Sequence, residues 1–489
     1  MNVISPLFHH ARTRPDAAAL VEGERTIAYR ELALLVARTA AHLGTLGVMP
    51  GDRIGLCLGD SADHIIALLA VARIGAIAVP LDWRASVSEN ARFVDGLALE
   101  RVLAEPDARL TTDTPVVMLN STWHRAVAAA EPSSAPPVDW NDPFVISASS
   151  GSTGAPKFTQ MTHLKYFFAA AGMFEVMNLA GRHRYLCTLP LYYSGGRNSC
   201  LAHLLRGDCV ILYPSLFTAA EYISVAERHR ATVGVAVPSV VRQLLNAGGG
   251  EPMLPGMSAF FSTGAPLRAE EKRRAARQLT PNFHERYGTA EMLVIAVLRP
   301  ADFADKADSV GQPHSLAETE IVDDEDRVLP IGALGRLRFR GPGLGSPVFG
   351  DAATTGFRNG WCYPGEIARL DERGYIFLQG RTSDVIMRSG TKIFPAEIEA
   401  ALCEHPAIAD AAVIGRTTTG SEEEVVAFVE TRSALSLGEV IAYCRSRLTP
   451  HKVPRRFHLL ARLPRLTSGK VDKLALARAL DEKSETNAP

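Results

Sequence analysis

Ser147-Ala148-Ser149-Ser150-Gly151-Ser152-Thr153-Gly154-Ala155-Pro156-Lys157 is the stretch from which this chain is best read. The apolar run Phe144-Val145-Ile146 leads into it as an expected buried strand, and a helix is expected beyond it, over about 163–173. Its eleven residues supply five hydroxyls, two glycines and one lysine. Glycine lets the backbone turn tightly and approach a ligand closely. Successive free N–H groups in such a loop form a concavity that suits an anion, so a polyphosphate is the natural guest. A Ser/Gly linker is the commoner source of this composition, but the run is short and carries a lysine. It is not a Walker A loop: Gly151, Gly154 and Lys157 are spaced differently, and Phe158 follows the lysine. Ser468-Gly469-Lys470-Val471 fails the same pattern, because Pro464 stands where its first glycine should be.

At 489 residues the chain exceeds the roughly 250–300 residues of a single core, so at least two domains are expected. A net charge of −1 offers no basic field for nucleic acid and no polybasic membrane patch. The seven cysteines include no C-x-x-C pair and no zinc-like spacing, which reads as packed, reduced thiols in a cytoplasmic protein. No signal peptide is read at the N-terminus. The most apolar stretch, 65–81, is broken by Arg73, Gly75 and Pro80, so a helix running into a strand is expected and no membrane span.

Residues 1 to about 140 alternate helical and strand patterns, which argues for parallel α/β layers. The same alternation continues through strands at 185–190, 209–212 and 232–237. The mixed-sign run Glu270 to Arg274 reads as an exposed helix face. From about 309 short strands punctuated by Gly and Pro suggest a small β-rich subdomain. After Arg381-Thr382-Ser383-Asp384 come a hairpin, a helix opened by Pro395, two strands, and a helix opened by the capping box Ser436-Leu437-Gly438-Glu439. The expected fold is α/β: an N-terminal domain over 1–382 of layered α/β subdomains plus the β-rich one, and a small mobile α+β domain over 383–489. The last residues, 484–489, are expected to fray.

The opening stretch resembles the phosphate loop of the adenylate-forming superfamily: acyl- and aryl-CoA ligases, peptide-synthetase adenylation domains and luciferases. That loop reads S/T-S-G-[ST]-T-G-x-P-K-G, and Phe158 replaces its last glycine. The resemblance assigns phosphate contacts to Ser149, Ser150, Gly151, Ser152, Thr153, Gly154 and Lys157. Further segments match in order. Ser262-Thr263-Gly264-Ala265-Pro266-Leu267 resembles the G-G-A-P segment along the adenine. Tyr287-Gly288-Thr289-Ala290-Glu291 resembles Y-G-x-T-E, with Ala290 where threonine is usual. The resemblance implies that Tyr287 covers the base, Gly288 and Thr289 line the nucleotide, and Glu291 with Thr153 holds Mg²⁺. Gly360-Trp361-Cys362-Tyr363-Pro364-Gly365-Glu366 resembles G-W-x-x-T-G-D, which makes Glu366 the ribose acceptor and Arg381 the second ribose contact. Ser383 stands at the hinge, where Asp or Lys is usual. Gly390 begins the G-x-x-I-x-P-x-E-I-E segment and lines the thiol tunnel, and Lys470 ends P-R-T-x-x-G-K as the catalytic lysine.

The implied chemistry is attack of a carboxylate on the α-phosphate of ATP, expulsion of pyrophosphate, and transfer of the acyl group to a thiol. Two anions repel, so the site must neutralise charge as it builds on the bridging oxygens. Tyr193 stands where acyl- and aryl-CoA ligases have histidine and amino-acid-activating domains have aspartate. Tyrosine offers no anion for an α-ammonium group, and a fatty or aromatic monocarboxylate is expected in a pocket formed with Gly196, Gly264 and Thr289. Arg197 has the charge to pair with a second carboxylate, but a solvated surface arginine is the expectation retained. The leading reading is an acid–CoA ligase using ATP, Mg²⁺ and coenzyme A. The alternatives are an adenylating enzyme that loads an acyl carrier protein and a catalytically degenerate relative with a binding role. Oligomeric state is left open.

Overall fold

The computed structural model describes residues 2–132, 136, 138–150, 156–213, 217–248, 252–349, 356–388, 391–417, 423–465 and 471–485, with backbone only at 149, 150, 156 and 481–485. Two large sheets form the bulk of the first 350 residues. One has nine strands, from Gln312–Pro313 at one edge through Ala296–Leu298, Phe283–Tyr287, Ala259–Ser262, Val233–Ala236, Arg184–Cys187, Cys209–Leu212 and Ala18–Glu22 to Arg25–Ala28. Its middle is parallel, and the hairpin of Ala18–Glu22 with Arg25–Ala28 closes one edge. The other sheet has seven strands, ordered Ser346–Pro347, Pro156–Thr162, Pro143–Ser150, Ile77–Pro80, Arg53–Cys57, Arg101–Ala104 and Val116–Met118.

Helices between the sheets share a core with both. Of the thirteen residues of Ala62–Ile74, all but Asp63 and Arg73 are buried. A helix apolar on every side has no solvent face to offer and belongs in a protein interior. The expected helix-then-strand over 65–81 is therefore found, as Ala62–Ile74 and Ile77–Pro80. His163–Met177 and Ser194–Arg206 occupy the same layer, and their buried residues join a cluster that includes Leu56 and Val145 of one sheet and Tyr185 and Phe261 of the other. Ala219–Arg228, Pro238–Ala247 and Ala269–Gln278 cover the outer face of the nine-stranded sheet.

A six-stranded, largely antiparallel sheet spans 318–381, where the sequence suggested a β-rich subdomain. After the turn Thr382–Asp384 come the hairpin of Ile386–Arg388 and Thr391–Ile393, the helix Pro395–Cys403, strands Ile408–Thr417, Glu423–Thr431 and Arg456–Leu460, and helices Leu437–Arg447 and Lys473–Glu485. The box at Ser436 is complete: its side chain accepts from Glu439 N–H, and the Glu439 carboxylate accepts from Ser436 N–H. The hydrophobic clusters over 386–480 share no residue with those before 382. No helix among the described residues is long and apolar enough to cross a membrane.

The mixed-sign run on Ala269–Gln278 differs from its expectation. Glu271 is 8% exposed and Lys272 1%. Lys272 forms an ion pair with Glu285 and donates to the carbonyl of Ser309 at 2.9 Å, while Glu271 accepts from Arg242 at 2.7 Å. Glu270 pairs with Arg277. The run turns inward because partners from distant strands and helices satisfy its charges, which a local reading of mixed signs does not reveal.

Candidate active site at the carboxyl ends of the parallel strands

Where parallel strands end, their loops converge, and such ends are favoured ligand sites in open α/β sheets. Here the loops after Arg184–Cys187, Val233–Ala236, Ala259–Ser262 and Phe283–Tyr287 carry Tyr193, Val237, Gly264 and Thr289, and Gly196 lies in the first turn of the helix Ser194–Arg206. The phosphate-loop stretch from Ser147 to Lys157 belongs to the second sheet at its two ends. It lies between Pro143–Ser150 and Pro156–Thr162, which pair antiparallel with Ser149 opposite Lys157 and Ala148 opposite Phe158. The expected strand-to-helix loop is thus a hairpin, and the helix begins afterwards at His163. Alternation explains the extra strand: Thr159 and Met161 are buried, Phe158 and Gln160 half-buried. Gly151, Ser152, Thr153 and Gly154 lie outside the described residues, as do Gly390 and Lys470, and Ser149 and Ser150 are described by backbone alone.

Phe158 has a structural reason. Its ring meets Phe93 edge-on at 5.7 Å and Phe349 at 6.3 Å, against the cluster of Val79, Val94 and Ile146. It anchors the hairpin on the outer face of the sheet.

The resemblance's nucleotide residues come together. Glu366 and Arg381 are directly opposed on neighbouring antiparallel strands, Glu366–Leu370 and Ile376–Arg381. The Tyr287 hydroxyl donates to the Glu366 carboxylate. Burial, followed by that carboxylate, raises the Tyr287 pKa well above the ordinary value. Gly264 has φ +95°, and a Cβ there would meet only Val237 Cγ1, at 3.7 Å. Gly288 and Gly196 differ: a Cβ would fall 2.0 Å from the Leu293 carbonyl oxygen and 2.4 Å from that of Pro190. Those two glycines are demanded by the chain's own backbone. Ala265 and Pro266 follow Gly264 in the same loop.

Glu291 makes no hydrogen bond or ion pair with a described side chain, and its carbonyl accepts from Gly345 N–H at 2.8 Å. Its charge acts on Tyr193, Tyr287 and Cys362, raising each, while Lys157 opposes it at Cys362. Glu291 and Lys157 therefore both lie near Cys362. The Lys157 ammonium would lie 3.9 Å from a Cβ on Gly356. The described residues hold no group of three or more His, Cys, Asp and Glu able to cage a metal. One carboxylate whose oxygens remain available is what Mg²⁺ needs when phosphates and water supply its other ligands, so the donor set fits that ion. Thr289 Oγ1 is buried without a partner among the described residues, a polar orphan of the kind a ligand or water satisfies.

Tyr193 caps the N-terminus of Ser194–Arg206. It is 38% exposed, yet burial raises its hydroxyl's pKa, and Arg286, Glu291 and Arg381 all act on it. The ring is reached by water beside the charges of Arg286, Glu291 and Arg381. Arg197 overturns its expectation: it is fully buried. It donates to Ser147 Oγ at 2.6 Å and to the carbonyls of Tyr192 at 2.9 Å and Leu191 at 3.5 Å. Burial lowers its pKa to about 10. It ties the Tyr193 loop to the root of the phosphate hairpin, because its helix lies between the two sheets and not on their surface. Arg286 was missed altogether. Its strand lies within a sheet covered on both faces, a position that only the assembled fold reveals. At the hinge position, Ser383 Oγ donates to Asp384 Oδ1 at 2.9 Å, and Lys473 joins Glu399 at 2.8 Å and Asp384 at 3.5 Å.

The family model of AMP-binding enzymes matches residues 7–347, and that of the AMP-binding enzyme C-terminal domain matches 397–470. The chain is 30% identical to an indoleacetate–CoA ligase of Aromatoleum aromaticum, with 95% of each chain covered. It is also 30% identical to a feruloyl-CoA synthase of Amycolatopsis, covering 95% of this chain and 96% of that one. An o-succinylbenzoate CoA synthetase from Bacillus subtilis, solved with its acyl-adenylate intermediate, superimposes with a TM-score of 0.87 at 25% identity over 97% of both chains.

Proposed function

The chain belongs to the AMP-binding enzyme family and is an AMP-forming acid–thiol ligase, and from that premise we propose its acid, its thiol and the residues that act. The acid is aromatic or fatty, as with the relatives that take indoleacetate and ferulate, and the thiol is that of coenzyme A. The observation that carries the reading is the convergence of Tyr287, Glu366 and Arg381 with Glu291 and Tyr193 in one cleft.

In this reading Tyr287 covers the adenine beside Gly264, Ala265 and Pro266, while Glu366 and Arg381 hold the ribose. The phosphate hairpin with Lys157 takes the β- and γ-phosphates. Glu291 and Thr153 would hold Mg²⁺, which when bound neutralises phosphate charge. Lys470 bridges the substrate carboxylate and the α-phosphate, lowering the repulsion between them as the acyl–phosphate bond forms and pyrophosphate leaves. The thiol then attacks the acyl adenylate and AMP departs. Lys470 must clear the path for that step, so the unit after Ser383 turns about this hinge and brings the Gly390 segment to the thiol tunnel. Division at 382/383 is part of the proposal, supported by the separate hydrophobic cores on its two sides.

Acid-dependent ATP–pyrophosphate exchange across a panel of carboxylates tests it. Exchange with at least one acid, lost in Lys470→Ala, is the expected result, and silence with every acid removes the ligase reading. AMP release with coenzyme A compared with a holo carrier protein identifies the thiol.

A further inference from the structure

Arg286 lies on the strand Phe283–Tyr287, one residue before the tyrosine that donates to Glu366. Its side chain is 7% exposed. Nη1 donates to Ser199 Oγ at 3.3 Å and approaches Met173 Sδ at 3.7 Å, and Nε has no partner among the described residues. The guanidinium carbon lies 6.0 Å from the centroid of Phe261. A guanidinium carries five donors and keeps its charge in proteins. One hydroxyl and one thioether leave most of that capacity unused.

The side chains acting electrostatically on it are Tyr185, Tyr193 and Cys187, and none is a carboxylate. A buried cation without a counter-ion is among the costliest arrangements a fold can hold. Half-buried arginines of this chain avoid it, Arg242 pairing with Glu271 and Arg338 with Glu320. Arg197, fully buried, also has no carboxylate but spends its donors on two carbonyls and Ser147. Arg286 is left with vacant donors at the end of the cleft lined by Tyr193, the residue on which Arg286 and Glu291 both act.

We propose that Arg286 is a specificity-determining residue: its guanidinium pairs with a second carboxylate of the substrate, remote from the one that is activated, so that the acid is a dicarboxylate. This rests on the ligase reading given above. The fork of guanidinium donors matches a carboxylate bidentately, and substrate binding then supplies the missing counter-ion. An acid without that group would leave the cation buried and unpaired, which is how a polar site rejects an analogue.

The test measures ATP–pyrophosphate exchange by the full-length protein over matched pairs: adipate with hexanoate, and isophthalate with its monomethyl ester. The expected kcat/KM favours the diacid in at least one pair by about 100-fold or more. Arg286→Met should collapse that ratio, chiefly through KM for the diacid, and Arg286→Lys should restore part of it. If Arg286→Met slows both members equally and keeps the ratio, the arginine is only structural and the proposal is overturned. A wild-type preference for the monoacid in every pair overturns it too while leaving the ligase reading intact. Exchange with no member of any pair removes both. Should Arg286→Met fail to fold, the wild-type ratios alone decide.

Discussion

The two ends of the cleft are built differently. At the end proposed for the nucleotide, Glu366 and Arg381 face one another across adjacent strands, and Tyr287 reaches Glu366 directly. These residues sit in short motifs, because a base, a ribose and a string of phosphates have fixed shapes that a few consecutive residues can meet. At the end proposed for the acid, Met173, Tyr193, Ser199, Phe261 and Arg286 come from separate strands and helices. A pocket whose ligand varies is assembled from residues far apart in the chain, each free to change without its neighbours. Chemistry common to a family is written locally, and specificity is written across the fold.

The largest expected effect tests whether the chemistry depends on the C-terminal unit at all. Lys470→Ala should reduce acid-dependent exchange on the order of 10²–10³-fold, as removal of one charge-stabilising donor does. Undiminished exchange would detach Lys470 from the first half-reaction.

Titration tests the layer of helices between the two sheets. His64, 0% exposed and in the field of Arg197, and His163, whose ring stacks on Phe144 beneath the phosphate hairpin, are both held down to a pKa of about 4, burial being the larger cause in each. His163 Nδ1 accepts from Val3 N–H at 3.1 Å, a bond the protonated ring cannot make. Both histidines are neutral in the fold and protonate in the unfolded chain near 6.5. Between about pH 6.5 and 4 the unfolded state therefore binds more protons, so stability is full above 6.5, falls as pH falls, and levels off below about 4. Each group contributes at most about 3 kcal/mol over that window. Urea midpoints measured from pH 7.5 to 4 should show the loss, and His64→Gln and His163→Asn should each flatten part of it. A flat wild-type profile would contradict both assignments.

Glu366→Ala should raise KM for ATP about 10- to 100-fold, the worth of a hydrogen bond to a charged group, with the preference among acids unchanged. If acid preference shifts as well, the two ends are not separable. The smallest effect is expected at Phe158→Ala. The half-buried ring should cost about 1–2 kcal/mol of stability in a denaturant titration, while exchange persists. Loss of exchange without loss of stability would give Phe158 a role in the phosphate loop itself.

The α/β class, the β-rich segment after 309 and the small C-terminal unit were legible because they rest on local periodicity, Gly and Pro punctuation and the Ser436 capping box. The helix-then-strand of 65–81 was legible for the same reason. The chain by itself also pointed to Tyr287, Glu291, Glu366 and Lys157, through motif order. Tertiary structure alone decided the rest. It paired the strands on either side of the phosphate loop, seated Phe158 against Phe93 and Phe349, and turned Glu271 and Lys272 inward to Arg242 and Glu285. It also buried both Arg197 and Arg286. A sequence shows where a charge stands along the chain. Whether water or protein surrounds that charge depends on which distant strands and helices close over it.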